Sequence, residues 1–522
     1  MEEIYRKLEK AKLLIIEKYF DEAIDILNIC KKETNENWEI FFELGKIYYI
    51  KKQFDEAVDS FIKSLKLKDN CYTKLLLAKS LKELNFFFRA LRLFLNVRQS
   101  NSDLKTEIDN EIISMFVKKQ DYLSALRYIN NYKVNCKLYL EAEEILNNLK
   151  IQIGILNFEG NYIKARKLAL KALNTLEFLD LKTKNVLLNE IEISNNEVHL
   201  KSFPRILKID VTKNCNLKCR MCAVRSHKFI NGQITKTDLK ILNFLFKYAE
   251  FVEWHGGEPL TYKYLKYFMD IANKNRVKQS VISNGLLLED EYVRRIVDYK
   301  MDLTISIDSV NKKIYENIRV GSSFKLLLKN IENFCNYRNI KKINTKFKLN
   351  AVLSRWNYND ANNFIDIIEF ANKYKFTDMD IYCDSLEQDL NLKREYIYLF
   401  NSKRKDLINL AKNYNINLSI QVPEIDSKFK IDTFNDSINT TLSQKYCLLP
   451  WKKVHVKFDK TISTDAFCPE IGFLRSNTKS FFINEIWNGK KISKIRENII
   501  KNKVESIKDL CRMSNYRFLR KG

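Results

Sequence analysis

The sequence predicts an α/β protein built in three parts: an all-α helical solenoid, an open barrel of six βα units, and a small α+β domain after it. Three observations carry this. A short aromatic-x-x-Ala motif repeats through the first third of the chain, apolar β-branched runs alternate with helical patterns through the middle, and an alternating hairpin flanked by cysteines follows. With 522 residues, 45% hydrophobic and 12% aromatic, each part can bury a core. The expected divisions are residues 1–175 for the solenoid, 176–204 for a connector with one more helix, 205–440 for the barrel and 441–522 for the last domain.

In the first part, Phe20-Asp-Glu-Ala23 recurs as Phe54-Asp-Glu-Ala57, then as Phe87-Phe-Arg-Ala90, Tyr122-Leu-Ser-Ala125 and Tyr162-Ile-Lys-Ala165. The first copies stand about 34 residues apart, the length of one helix pair in a stacked array. The second copy carries the fuller set Phe41, Leu44, Gly45, Tyr48, Ala57 and Phe61, which resembles a tetratricopeptide (TPR) repeat. The small Ala lets the two helices of a pair approach. Stacked pairs make a curved solenoid whose concave surface binds peptides or partner proteins; a purely structural extension that enforces dimerisation is the alternative.

Strand-like runs fall at about 205–212, 250–254, 278–283, 302–308, 345–353 and 377–383, separated by helical patterns such as Thr261–Ala272 and Phe324–Phe334. Six buried strands in βα alternation imply a parallel sheet, two units short of a closed eight-stranded barrel, and chemistry on such sheets sits at the C-terminal strand ends. The polar motifs lie at such ends. Cys215, Cys219 and Cys222 follow the first strand in the spacing Cys-x3-Cys-x2-Cys. With eleven cysteines in the chain, that spacing arises by accident in roughly 0.5% of such sequences. Three thiolates on one tight loop can hold three irons of a [4Fe–4S] cube and leave the fourth open to a cofactor. A structural zinc site of the three cysteines plus His227 is the competing arrangement.

The second strand runs into Gly256-Gly257-Glu258-Pro259, where glycines permit close backbone approach and the carboxylate suits an ammonium group. Ser283-Asn284-Gly285 ends the third strand, Thr304-Ile-Ser-Ile-Asp308 forms the fourth, and Arg319 follows in Ile318-Arg-Val-Gly321. Taken together, these features resemble the radical SAM enzymes, a family with a partial TIM barrel, (βα)6. The usual aromatic residue before the third cysteine is replaced here by Met221, which offers a similar apolar cover. The resemblance implies a [4Fe–4S] cluster on Cys215, Cys219 and Cys222, with S-adenosyl-L-methionine on the open iron. Reductive cleavage would give a 5′-deoxyadenosyl radical that abstracts hydrogen from a substrate. It also implies cofactor contacts from Gly256, Gly257, Glu258 and Pro259 toward the methionine amino group. Asn284, Ser306, Asp308 and Arg319 would face the ribose or carboxylate. No side chain is nominated as catalytic beyond these ligands.

In the last part, Cys447-Leu-Leu-Pro-Trp451 leads into alternating Val454, Val456 and Phe458, a turn at Asp459-Lys460, and a return strand toward Cys468; Cys511 comes later. This resembles the SPASM or twitch extension of radical SAM enzymes, which carries auxiliary iron–sulfur clusters. The usual closing Cys-x2-Cys is broken, because Ser514 stands where a cysteine is expected. Cys447, Cys468 and Cys511 then imply either one auxiliary cluster with an open or Ser514-supplied position, or a cluster-free fold. Cys383, at the end of the sixth strand, falls near either site or is a buried free thiol. Cys30, Cys71, Cys136 and Cys335 fall in helical patterns and are expected in cores.

No apolar run reaches the length of a membrane span and the N-terminal residues do not form a signal peptide, so the expectation is a cytoplasmic protein without a membrane partner. An odd number of cysteines in metal-type spacing points to reduced thiolates rather than disulfides. The net charge of +25 comes from Lys spread along the whole chain, without a basic, aromatic-interleaved run, so nucleic acid is not the expected partner and RNA modification is the lesser alternative. The favoured substrate is a peptide or protein side chain docked on the TPR-like part, with a flavodoxin or ferredoxin as electron donor. The rivals are a small molecule, such as a sugar in surface-polysaccharide or antibiotic synthesis, and a non-enzymatic scaffold on an inactive barrel.

Overall fold

The computed structural model describes residues 2–34, 36–132, 139–222, 224, 233–360, 362–384, 386–424, 447–465, 468–475 and 478–501. Two compact units result, residues 1–153 with 171–178, and residues 154–170 with 179–522. His227, Cys136, Cys511 and Ser514 lie outside the described residues.

The helical part runs as α1 (Glu2–Ile16), α2 (Phe20–Glu33), α3 (Trp38–Ile50), α4 (Phe54–Leu67), α5 (Cys71–Glu83), α6 (Phe87–Ser100), α7 (Lys105–Lys118), α8 (Tyr122–Tyr132), α9 (Tyr139–Phe158), α10 (Tyr162–Thr175) and α11 (Leu181–Ser194). Every copy of the motif opens the second helix of a pair, and its alanine is fully buried at Ala23, Ala57, Ala90, Ala125 and Ala165. Two residues before each aromatic, the turn places Lys18, Lys52, Asn85, Gln120 or Gly160 at positive φ. That left-handed residue reverses the chain between paired helices, at a cost that only Gly160 avoids. In the second pair, a Cβ on Gly45 would stand 2.5 Å from the Phe61 ring, so glycine is what lets α3 lie directly on α4. Of the cysteines expected in helical cores, Cys30 is buried, while Cys335 is only partly so and Cys71 is half-buried at the first turn of α5. A residue in the first helical turn is carried toward the rim of the pair rather than its seam.

α11 is the one helix expected between 176 and 204. Its Glu190 accepts from Lys452 at 2.7 Å and pairs with Arg205, which leads into the first strand. These cations outweigh the effect of burial and hold the Glu190 carboxyl down at about 2.

The second unit is organised on one ten-stranded sheet in the order β10-β9-β8-β1-β2-β3-β4-β5-β6-β7. Strands β1 (Ile206–Thr212), β2 (Phe251–Gly256), β3 (Lys278–Ser283), β4 (Asp302–Ser306), β5 (Phe347–Leu353) and β6 (Asp378–Cys383) are the six expected ones, all parallel. A seventh, β7 (Asn417–Gln421), adds to β6 in parallel. Its sequence, Asn-Leu-Ser-Ile-Gln, is short and carries only two apolar side chains, too weak a pattern to mark a buried strand. The hairpin expected after Cys447 consists of β8 (Lys453–Val456) and β9 (Thr461–Ser463), followed by β10 (Glu470–Phe473), and β8 pairs in parallel with β1. The last strands therefore extend the barrel sheet itself.

Helices pack on one face of this sheet. Leu207, Ile209, Val211, Val252, Trp254, Val281, Leu303, Leu349 and Ile381 are fully buried there in one continuous core. The Trp254 indole N–H donates to Gln279 and Gln279 donates to Met269 O, which marks Trp254 and Gln279 as facing the helix Leu265–Lys274. By alternation, Lys208, Asp210, Glu253 and His255 face the barrel interior. No helix among the described residues is long and apolar enough to cross a membrane.

Candidate functional site

β1 ends at Thr212 and delivers the cysteine loop to the C-terminal edge of the sheet, and backbone hydrogen bonds clip that loop on two sides. On one side, Gly257 N donates to Thr212 O and Glu258 N donates to Asn214 O, both at 2.8 Å. A Cβ on Gly257 would overlap the carbonyls of Lys213 and Asn214, and one on Gly256, at φ +133°, would overlap that of Thr212. Only glycine lets the turn and the loop lie this close. On the other side, Lys218 N donates to Val320 O at 2.8 Å and Arg220 N to Ile318 O at 3.0 Å. The Arg220 guanidinium adds bonds to Asn317 O and Oδ1.

Within the loop, Cys215 is exposed and Cys219 and Cys222 are half-buried. Leu217 N donates to Cys215 Sγ at 3.4 Å. Burial raises the Cys215 thiol pKa and pushes that of Cys219 up to about 11, and the neighbouring Cys222 adds to both shifts. Among the described residues no three His, Cys, Asp or Glu side chains are gathered as ligands of a metal ion. The thiolates of an iron–sulfur cube take separate irons, so they stand further apart than the ligands of one ion. A loop that gathers three free cysteines, with few competing partners and a glycine cradle beside it, fits that larger group.

Glu258 does not point outward as a simple ammonium partner. It is 1% exposed, its Oε1 accepting from Ser283 Oγ (2.9 Å) and Leu260 N (3.2 Å) and its Oε2 from Asn284 N (2.7 Å). Burial pushes the carboxyl up to about 7 against the pull of these donors. It also caps the turn Pro259–Thr261, which interrupts the helix expected from Thr261, so that the helix begins only at Leu265. Asn284 completes the link, its Nδ2 donating to Asn216 Oδ1 in the cysteine loop at 2.8 Å. The expected motifs at the ends of β2 and β3 are thus brought together on one loop.

Below Cys219 lies a buried ion pair, Arg319 Nε to Asp308 Oδ2 at 2.8 Å, and Arg319 Nη1 lies 4.0 Å from Cys219 Sγ. Burial opposes the charge on Arg319, but Asp308 and then Cys219 outweigh it and hold the guanidinium above its usual range. Asp308 Oδ1 also accepts from Val352 N at 2.9 Å, tying β4 to β5. Ser306 is the last residue of β4 and half-buried. Cys383 ends β6, and burial pushes its thiol up to about 11. Cys447 and Cys468 are half-buried on either side of β8 and β9.

A chain of three side chains across β2, β1 and β8 joins residues that no local sequence motif marks. His255 Nδ1 lies 3.0 Å from Asp210 Oδ1, and His455 Nε2 lies 2.8 Å from Asp210 Oδ2. Burial opposes ionisation of Asp210, but His455 first and His255 second hold its carboxyl well below the usual range. Burial keeps His455 itself below the ordinary imidazole value. His255 was within reach of sequence reasoning, since it directly precedes Gly256; His455 was not.

Residues 209–368 match the family model of the Radical SAM superfamily. This segment, which includes the cysteine loop, the Gly-Gly-Glu-Pro turn and the Asp308–Arg319 pair, is a radical SAM domain, of the kind that uses a [4Fe–4S] cluster and S-adenosylmethionine. Among curated proteins, a radical SAM cyclopropyl synthase, TigE, of Paramaledivibacter caminithermalis is 25% identical over 280 residues, 44% of this chain and 57% of that protein. A probable GTP 3′,8-cyclase of Methanococcus aeolicus is 31% identical over 134 residues, 24% of this chain and 44% of that protein. The chain spans about half the length of these relatives. Among solved structures, SuiB of Streptococcus suis bound to S-adenosylmethionine aligns with a TM-score of 0.42 and 17% identity over 68% of this chain and 80% of that one.

Proposed function

We propose that the protein is a radical SAM enzyme that modifies a peptide or protein side chain. The observation that carries the first half is the doubly clipped cysteine loop, with the Gly256–Gly257 turn on one side and the Val320 segment on the other. In this reading Cys215, Cys219 and Cys222 hold the cluster. The Gly256-Gly257-Glu258-Pro259 turn, Asn284, Ser306, Asp308 and Arg319 surround the cofactor. When bound, the pair supplies a 5′-deoxyadenosyl radical for hydrogen abstraction.

The chain's own residues bind, orient and shield. Arg319, neutralised by Asp308, offers Nη groups beneath Cys219 that favour its thiolate. Glu258 ties the ends of β2 and β3 into one rigid seat. Cys447, Cys468 and Cys511 serve either an auxiliary cluster or a cluster-free fold, and a flavodoxin or ferredoxin supplies the electron.

The helical-repeat unit supports a peptide or protein substrate, because an array of helix pairs suits an extended chain and raises its local concentration. A second reading, a small-molecule substrate, is supported by the 31% identity to a protein named as a GTP cyclase. The test is anaerobic incubation of the iron-loaded enzyme with S-adenosylmethionine, a reductant and any short peptide encoded beside its gene, followed by mass spectrometry. A mass change of a peptide matched by 5′-deoxyadenosine is the expected result. Conversion of a nucleotide or sugar, with every peptide left unchanged, would favour the second reading.

A further inference from the structure

We propose that His255 is the proton acceptor of the barrel interior, with Asp210 and His455 as the residues that position it. This deepens the radical SAM reading by naming a residue that acts on a bound substrate. The geometry rests on the register of the sheet. Asp210 and His255 are cross-strand partners on β1 and β2, and His455 lies opposite Lys208 on β8, so alternation puts all three on the interior face.

Asp210 receives one imidazole on each carboxylate oxygen. A carboxylate oxygen can only accept, so the contact places a proton on His255 Nδ1, and in the neutral imidazole Nε2 then carries the lone pair. No hydrogen-bond partner of Nε2 is found among the described residues, and the side chain is 29% exposed, so this atom is accessible. His455, by contrast, is 2% exposed; its Nε2 stands at ion-pair distance from Asp210 without hydrogen-bond geometry, and its Nδ1 has no hydrogen-bond partner among the described residues. It acts as the prop that holds Asp210 rather than as a reactive group.

The other interior charges on these strands are paired. Lys208 contacts Glu253 at 3.1 Å, and Lys453 contacts Asp465 at 3.0 Å. His255 also precedes Gly256, so the same strand end carries the acceptor and the turn beside the cysteine loop. In the step inferred, a polar X–H bond of the substrate (hydroxyl, amide or ammonium) breaks and its electron pair stays on X. The proton forms an N–H bond at Nε2, and the resulting imidazolium faces the Asp210 carboxylate. No oxidant is needed, and the proton returns in the reverse step.

The test uses diethyl pyrocarbonate, which acylates accessible unprotonated imidazole nitrogen, on the anaerobically iron-loaded enzyme at about pH 8, above the imidazole range. With four histidines in the chain, peptide mapping resolves each one. His255 is expected to be modified and His455 not, and Asp210→Asn is expected to slow His255 modification several-fold. If Asp210→Asn does not fold, His455→Asn replaces it, with slower modification of His255 again expected. An unmodified His255, or an unchanged rate in the folded variant, would overturn the assignment. Formation of 5′-deoxyadenosine is followed on the same wild-type sample. Its absence would count against the radical reading and leave the mapping result standing.

Discussion

At the scale of single residues, Glu258, in the turn proposed to hold the cofactor, is a structural bolt between two strand ends. Two donors at the end of β3 and one from its own turn converge on a carboxylate with almost no exposure, and its pKa rises from 4.5 to about 7. Between those values the folded chain holds a proton that the unfolded chain has lost. This contribution to stability is complete below about pH 4.5 and is lost as the pH rises through about 7. Glu258→Gln removes the titration. Its melting temperature relative to wild type is therefore expected to climb as the pH goes from 4.5 to 7, and a difference independent of pH would contradict the burial argument. The cysteine spacing and the Gly-Gly-Glu-Pro turn were legible in the sequence because each is local, a few residues on one loop. The Asp210 chain was not legible, because its partners stand 45 and 245 positions away (255 − 210; 455 − 210) and only strand pairing brings them together.

At the scale of elements, the repeated alanine decides how closely paired helices lie. Ala57 is fully buried on α4, in the pair where Gly45 of α3 meets the Phe61 ring. Ala57→Leu is expected to cost about 1–3 kcal/mol by overpacking, read as a lower denaturant midpoint for the helical unit. A neutral effect would mean that the helices separate without penalty. The five repeats were legible from an aromatic and an alanine three positions on, as were the six strands whose β-branched cores alternate with helices. β7 escaped because a five-residue edge strand with two apolar side chains leaves no periodic trace. The union of β8 with β1 escaped for a different reason. A hairpin carries its own pairing in its turn, but which edge it joins is set by chain segments more than 200 residues apart.

At the scale of the whole chain, the sheet puts Cys215–Cys222, Gly256–Pro259, Asn284, Ser306, Asp308 and Cys383 at or beyond the C-terminal ends of β1, β2, β3, β4 and β6, where ligand chemistry gathers on parallel sheets. The polar interior face, with His255 at its upper edge, lies below them. The central claim is that the cysteine loop carries a cluster able to cleave S-adenosylmethionine. The most direct measurement is anaerobic reconstitution with iron and sulfide, then iron counting and assay for 5′-deoxyadenosine, on wild type and on the Cys215→Ala, Cys219→Ala, Cys222→Ala triple variant. The variant is expected to lose about four irons per chain and all 5′-deoxyadenosine. Iron-loaded wild type that forms no 5′-deoxyadenosine, or a triple variant that still forms it, would mean that the cysteine loop holds no such cluster.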